Sequence, residues 1–272
     1  MYFVKVSVIF STYNSPEWLK KVVWGFSFQT FTSFEIIIAD DGSTEDTKEC
    51  INHLREETQL TIHHVWHEDN GFRKTEILNK ALVKATGDYI VFTDGDCIPR
   101  EDFLQTHVEH AEKGYFLSGG YFKLPLKTSQ DISYDDIKEQ RCFDYDWLKK
   151  HGLDKTHKAS KLTAKGWKAK LYNRLTPTNA TWNGHNASGW KTDLLRINGF
   201  DERMRYGGED RELGDRLFNL GIKSKQIRYS AIVVHLDHPR GYVNQEDWDR
   251  NNAIRTETKA TKRIRTEFGI EH

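Results

Sequence analysis

The chain has 272 residues, with 40 Lys+Arg set against 40 Asp+Glu and three cysteines. That length fits one large domain or two small ones and can bury a sizeable core, and the apolar content excludes a disordered chain. Balanced charge leaves no net field to draw the protein to nucleic acid, and a few cysteines without metal-type spacing exclude a disulfide scaffold and fit a reducing compartment.

Met1-Tyr2-Phe3-Val4-Lys5 runs straight into a strand pattern, without the basic start and small-residue cleavage site of a leader. No apolar run reaches bilayer length, so the expectation is a cytoplasmic protein whose membrane contact would be peripheral, through basic segments. In chain order, Val4 to Phe10 reads as a β-branched apolar strand. Ser15-Pro16 opens a helix through Phe28, with Ser at the N-cap, Pro at the first helical position, and Trp18, Val22 and Phe26 at helical spacing. Glu35 to Ala39 is a buried strand that ends in Asp40-Asp41-Gly42-Ser43, and Ser43 with Asp46 resembles a capping pair for the next helix. Leu60 to Trp66 is a third strand. Thr75 to Ala85 is a helix with Ile77, Leu78, Ala81 and Leu82 inward, and an apolar strand from Tyr89 follows. Strands alternating with helices predict a mostly parallel α/β sheet covered on both faces, with ligands outside the carboxyl ends of its strands. Three such ends are polar: Ser11-Thr12-Tyr13-Asn14, Asp40-Asp41 and Asp94-Gly95-Asp96. They are expected to converge on one cleft.

The run Tyr89-Ile90-Val91-Phe92-Thr93-Asp94-Gly95-Asp96 carries two carboxylates into a turn. Side chains two apart on a strand share a face, so Asp94 and Asp96 are predicted to reach one point, with Gly95 adding no bulk. Two hard oxygen ligands suit Mg²⁺ or Mn²⁺ and leave room for water and phosphate oxygens, which points to chemistry on a diphosphate. Taken alone, the same residues also describe a charged turn after a buried strand.

Beyond Lys123 the pattern weakens as far as Thr178. Lys149 to Arg174 is rich in Lys and reads as a solvated helical insertion or as a surface for anionic lipid or an anionic acceptor. Asn251 to Phe268 reads as an exposed basic helix with the same two meanings. Between these, Gly207-Gly208-Glu209-Asp210 opens a helix that continues through Leu213, Leu217 and Leu220 and stops at Gly221. Acidic residues in a first turn complement the helix dipole, and a positioned carboxylate there is also a suitable general base for a sugar hydroxyl. An apolar strand, Ile227 to Val234, then delivers His235, with His238 close behind. An imidazole ligand would shift the metal preference from Mg²⁺ toward Mn²⁺.

Together these residues resemble the family 2 glycosyltransferases of GT-A fold, over about 1–122 and 180–240. Val6-Ser7-Val8-Ile9 with Thr12-Tyr13-Asn14 is similar to the family's opening strand and nucleotide-contacting loop. Ala39-Asp40-Asp41-Gly42-Ser43 is similar to its next signature, and Asp94-Gly95-Asp96 to its DxD metal motif. The back half, from Trp182-Asn183-Gly184-His185-Asn186-Ala187-Ser188 through Asn198-Gly199-Phe200-Asp201-Glu202 to Gly207-Gly208-Glu209-Asp210, resembles a galactosyltransferase-type region. Four segments follow within one continuous catalytic domain: a nucleotide-sugar-binding half (1–122), a basic helical insertion (123–178), an acceptor-binding and catalytic half (179–240) and a C-terminal helical extension (241–272).

The resemblance implies a UDP-sugar donor, Mn²⁺ or Mg²⁺, and a glycan or lipid-linked acceptor, as in bacterial surface polysaccharide or lipopolysaccharide assembly. Gal or GalNAc are the donor sugars that the back half suggests. It makes Asp210 the catalytic base and Glu209 an acceptor contact. It places Thr12, Tyr13, Asn14, Asp40, Asp41, Arg73, Asp94 and Gly95 around the donor, with Asp40 pairing to the uracil N3–H and Arg73 facing the diphosphate. It gives Asp94, Asp96 and His235 to the metal, with His238 in reserve. Processive synthases carry a Gln-x-x-Arg-Trp signature that is missing here, which implies single sugar additions. The reaction implied is a single displacement that inverts the anomeric carbon. Two other readings fit an α/β chain with acidic metal ligands: a sugar nucleotidyltransferase, which would carry a Gly-rich phosphate loop near its first strand, and a catalytically silent nucleotide- or carbohydrate-binding module.

Overall fold

A computed structural model describes residues 4–239 and 244–271. The Met1-Tyr2-Phe3 start and residues 241–243 of the C-terminal extension lie outside the described residues, as do Arg240 and His272. The elements run β1 (Val6–Thr12), α1 (Pro16–Ser27), β2 (Phe34–Asp40), α2 (Glu45–Thr58), β3 (Ile62–Trp66), α3 (Lys74–Lys84), β4 (Tyr89–Asp94), β5 (Cys97–Pro99), α4 (Phe103–His110), β6 (Tyr115–Ser118) and β7 (Gly120–Lys123). The insertion follows as α5 (Leu126–Asp131), α6 (Tyr134–Lys138), α7 (Tyr145–Lys150), α8 (Ser160–Thr163) and α9 (Gly166–Leu175). The chain closes with β8 (Asn186–Trp190), α10 (Lys191–Arg196), α11 (Glu209–Asn219), β9 (Lys223–Gln226), β10 (Ile232–His235) and α12 (Gln245–Ala260).

The fold is α/β of GT-A type. Its main sheet has the order β3-β2-β1-β4-β8-β6-β9, parallel except where β8 runs against β4 and β6. Alternation along β1 sorts the core. Val6, Val8 and Phe10 pack with Leu19, Val22 and Phe26 of α1 and Ile51 and Leu54 of α2, while Ile9 and Ile37 face Ile77, Ala81 and Leu82 of α3. Each such fully buried side chain contributes about 1.5–3 kcal/mol. Register sets the polar ends level: Thr12 lies beside Asp40, and Ser11 beside Asp94. A second, three-stranded sheet, β5-β10-β7, carries His235 to the same side.

The structure corrects four local expectations. Ser15 occupies the α1 cap position with Pro16 behind it, but its side chain makes no capping bond. Thr44, not Ser43, stands at the N-cap of α2; Ser43 Oγ accepts instead from the Asn14 N–H at 2.8 Å, tying the β1 loop to the β2 loop. Ile227 to Val234 is not one strand. The N–H groups of Ser230 and Ala231 both donate to Ile227 O, and this turn separates β9 in the large sheet from β10 in the small one. The C-terminal helix starts at Gln245 and ends at Ala260, and it is not an exposed basic rod. Asn251 and Thr258 are buried, Thr258 Oγ1 donates to Glu212 of α11, and Arg255 pairs with Asp215 at 2.9 Å. Among the described residues no helix is long and apolar enough to cross a membrane.

Candidate active site

The three polar strand ends open on one cleft of about 820 Å³. Ser11 to Asn14, Asp41, Asp94, Gly95 and Asp96 line it from the sheet side. Glu209 and Asp210 line it from the start of α11, and His235 and His238 from the end of β10. Residues far apart in the chain therefore share one pocket.

Asp94 and Asp96 do not meet by strand alternation, because Gly95 and Asp96 form the turn between β4 and β5. Gly95 N–H donates to Ser11 O at 3.0 Å, and a Cβ on Gly95 would sit 2.6 Å from that oxygen. The glycine is thus required by a close backbone approach, and it swings Asp96 toward the small sheet. There Asp96 Oδ2 lies 2.9 Å from His238 Nε2 and 3.6 Å from His235 Nε2. Ligand atoms of Asp96, His235 and His238 all fall within 4.8 Å of one another, as do those of Asp94, Asp96 and Cys97. Burial works to raise the Asp96 carboxyl, but the hydrogen bond from His238 and the charges of His235 and His238 outweigh it and hold the group below its ordinary value. Burial, then Asp96, push the Cys97 thiol well up, so it stays protonated and donates to Asp96 Oδ1 at 3.3 Å. His235 Nδ1 is a buried atom without a hydrogen-bond partner among the described residues. One carboxylate and two imidazoles, with an imidazole nitrogen unsatisfied, suit Mn²⁺ better than Mg²⁺.

Asp94 has a different neighbour. Its Oδ1 accepts from Lys74 Nζ at 2.8 Å. Burial pulls the Lys74 ammonium down, but Asp94 and Glu209 together overcome it and keep the group charged well above its ordinary value. Lys74 lines the cleft, as do Arg211 and Arg255, and Arg73 does not. The Arg73 guanidinium is turned away to Glu76 and Glu68 O, and only its backbone N–H points inward, to Asp41 Oδ2 at 3.0 Å.

The neighbouring aspartates are likewise exchanged. Asp40 is 1 % exposed, and its carboxylate takes the Ser43 N–H and His64 Nε2 at 2.8 Å each, outside the cleft. Asp41, next along the chain and so on the other side of it, reaches the cleft and is held by His67 Nε2 at 2.7 Å. Thr12 lines the cleft with a buried hydroxyl that has no hydrogen-bond partner among the described residues. Tyr13 is half exposed and donates to Asp69 at 2.9 Å, and Asn14 uses its amide oxygen on the Thr44 N–H.

The third wall is the Gly207-Gly208-Glu209-Asp210 turn. Both glycines have positive φ, 107° and 87°, and the second caps α11 in the left-handed region. Glu209 Oε2 accepts the Gly207 N–H, while Asp210 accepts from the N–H groups of Gly184 and Arg211 at 3.1 and 2.7 Å. Burial raises both carboxyls; Glu209, also facing Asp210, reaches about 7. From α12, Asn251 donates its amide N–H groups to the carbonyls of Arg205, Tyr206 and Gly207, and the Trp248 ring lies against Gly207. Sequence reasoning missed Lys74, Trp248 and His185. Burial pushes the His185 imidazole down to about 4, so it is a neutral group in the cleft wall.

A mostly parallel sheet whose strand ends open on an Asp-Gly-Asp bend defines a GT-A glycosyltransferase, and solved structures agree on the fold. A mannosyltransferase from Pyrobaculum calidifontis, in complex with GDP-Man and Mn²⁺, matches with a TM-score of 0.61 at 21 % identity, over 98 % of this chain and 66 % of that one. Residues 1–349 of TarS from S. aureus, in complex with UDP-GlcNAc, match with a TM-score of 0.60 at 17 % identity, over 95 % of this chain and 69 % of that one. The glycosyl transferase family 2 model matches residues 7–187, and a model for the N-terminal domain of galactosyltransferase matches 173–239. The chain belongs to glycosyl transferase family 2 and is an enzyme of that family. It is 27 % identical to the hyaluronan synthase of Pasteurella multocida over 276 residues, which is 92 % of this chain and 26 % of that protein. It is 25 % identical to the chondroitin synthase of Escherichia coli over 252 residues, 89 % of this chain and 36 % of that protein. The chain thus spans only about a quarter to a third of the length of these synthases.

Proposed function

We propose that this family 2 enzyme transfers a sugar from a UDP-sugar to a hydroxyl of a glycan or lipid-linked glycan, with inversion, in the assembly of a polysaccharide. The observation that carries this reading is the convergence of Asp96, His235, His238 and Asp210 on one cleft. The relatives support the product class, since two are synthases of hyaluronan and chondroitin. The galactosyltransferase match over 173–239 keeps Gal and GalNAc as the donor sugars to test first. The neighbours with bound GDP-Man and Mn²⁺, and with bound UDP-GlcNAc, support a nucleotide-sugar and a divalent ion.

Asp96, His235 and His238 would hold the ion, with Asp94 beside them. A divalent ion held there would supply positive charge opposite the leaving diphosphate. Lys74 adds a fixed positive charge to the same region. Asp41, oriented by His67 and the Arg73 N–H, is the carboxylate placed to accept a ring N–H of the base. We assign that role to Asp41 in place of Asp40. Asp210, fixed by two backbone N–H groups and made more basic by burial, takes the proton of the acceptor hydroxyl as its oxygen attacks from the face opposite the diphosphate. Glu209, half protonated near neutrality, contacts the acceptor, and Trp248 offers an aromatic face beside it.

Titration calorimetry with UDP and GDP, with Mn²⁺ and then with a chelator, tests the donor side. A panel of UDP-sugars scored for UDP release tests the sugar. UDP is expected to bind only with the ion and clearly better than GDP, since the guanine ring N–H lies one fused ring farther from the ribose than the uracil N3–H and meets Asp41 in a different place. Equal binding of GDP, or binding unaffected by chelation, would overturn the reading.

A further inference from the structure

Helix α9 of the insertion takes no part in the cleft. It carries Trp167, Leu171 and Leu175, four residues apart and 70, 41 and 66 % exposed. At that spacing the three side chains form one stripe along the helix. The opposite side holds α9 to the body. Ala169 is buried, Asn173 accepts the Tyr229 N–H and donates to Ser230 Oγ, and the Tyr172 ring meets that of Tyr229 at 5.3 Å. The stripe therefore faces outward on an anchored helix.

Cations bracket it. By helical geometry Lys168 lies on one flank and Lys170 and Arg174 on the other. These three and Lys165 are exposed, and among the described residues none pairs with a carboxylate. The segment Lys155 to Arg174 holds seven Lys or Arg and no Asp or Glu, although the chain as a whole is neutral. The excess charge is thus concentrated where the apolar stripe emerges.

We propose that α9 is an interfacial helix that seats the protein on a membrane containing anionic lipid. Trp167, Leu171 and Leu175 enter the boundary between head groups and acyl chains, and Lys165, Lys168, Lys170 and Arg174 contact lipid phosphates. A polyanion such as nucleic acid or an acidic glycan would be met by the cations alone. It gives no reason for two leucines and a tryptophan to be held in water on the same face. The geometry also links this surface to the cleft. Lys161 of α8 donates to Tyr121 O at 2.9 Å, and the Tyr121 ring lies 4.4 Å from that of His185 in the cleft wall. An acceptor carried on the membrane would meet the enzyme along this side.

Flotation with vesicles of equimolar phosphatidylcholine and phosphatidylglycerol, compared with phosphatidylcholine alone, tests it. The wild-type chain is expected to float with the anionic vesicles and to bind the neutral ones at least about tenfold more weakly, each Lys or Arg at a charged surface being worth roughly fivefold. The double variant Leu171→Ser/Leu175→Ser should lose about tenfold in binding to the anionic vesicles. Lys168→Glu/Lys170→Glu should lose more than that. Both pairs change exposed side chains, so the thermal midpoint and metal-dependent UDP release should match wild type. Wild-type protein left unbound beside anionic vesicles would overturn the proposal. So would a Leu171→Ser/Leu175→Ser protein that floats as well as wild type while heparin displaces both, which would assign the patch to a soluble polyanion.

Discussion

Glu209→Gln isolates one carboxylate whose environment the fold has changed. Glu209 is 9 % exposed, and burial first, then the charge of Asp210, push its carboxyl from 4.5 to about 7, against the opposing pull of Lys74. The folded protein therefore holds this proton more tightly than the unfolded chain. The stabilisation is fully present below pH 4.5 and is lost as pH rises through about 7. A shift of that size amounts to about 3 kcal/mol of stability lost by pH 8. Glutamine keeps an amide oxygen to accept the Gly207 N–H but cannot ionise. At pH 8, Glu209→Gln should therefore be more stable than wild type by about 3 kcal/mol, or roughly 6–9 °C in Tm. At pH 5 the two should agree within about 1 kcal/mol. Scanning calorimetry of both proteins at both pH values, with chelator to remove metal binding, measures the gap. A gap of equal size at the two pH values, or a variant less stable than wild type at pH 8 alone, would show that Glu209 is not held near neutrality by its surroundings.

Asp210→Asn should lower UDP release by roughly 10²–10⁴-fold while calorimetry finds nucleotide affinity unchanged. Asp96→Ala and His238→Ala should each weaken Mn²⁺ binding by roughly tenfold or more, read by electron paramagnetic resonance of the free ion; intact binding in His238→Ala would leave His235 as the sole imidazole ligand. Gly95→Ala puts a methyl 2.6 Å from Ser11 O and should cost about 1–3 kcal/mol in denaturant unfolding. Asn251→Ala leaves the carbonyls of Arg205 to Gly207 without their donor and should cost about 1–3 kcal/mol while lowering kcat more than it raises the donor KM.

Much of the architecture is written locally in the chain. The apolar runs at β1, β2 and β4, the proline at the head of α1 and the double glycine before α11 each act within a few residues, so the fold class and the cleft at the strand ends follow from them. The residues that complete the cleft depend on contacts between distant segments. Nothing near Arg73 and Lys74 says which cation faces inward; Arg73 turns out because Glu76 stands one helical turn ahead of it and Glu68 O is within reach. Asp40 and Asp41 differ by one position, and only the partners on β3 and beyond it, His64 for one and His67 for the other, show which reaches the ligand side. Trp248 was illegible for a related reason: its helix reads as a solvated charged segment until α11 packs on it. The strand expected from Ile227 failed because hydrophobicity does not reveal a turn that serves two different sheets.

The position of β8 also governs the order in which the protein can be made. This strand pairs with β4 from Thr93 with Asn186 to Tyr89 with Trp190, although the whole insertion separates the two in the chain. While a ribosome is still producing that insertion, the nascent first half displays a bare, apolar β4 edge with unsatisfied backbone groups. Such an edge recruits other chains. Expression trials that truncate before Asn186 should therefore yield aggregates rather than a soluble donor-binding fragment, and separation into donor and acceptor modules is closed to protein engineers at this point in the sheet.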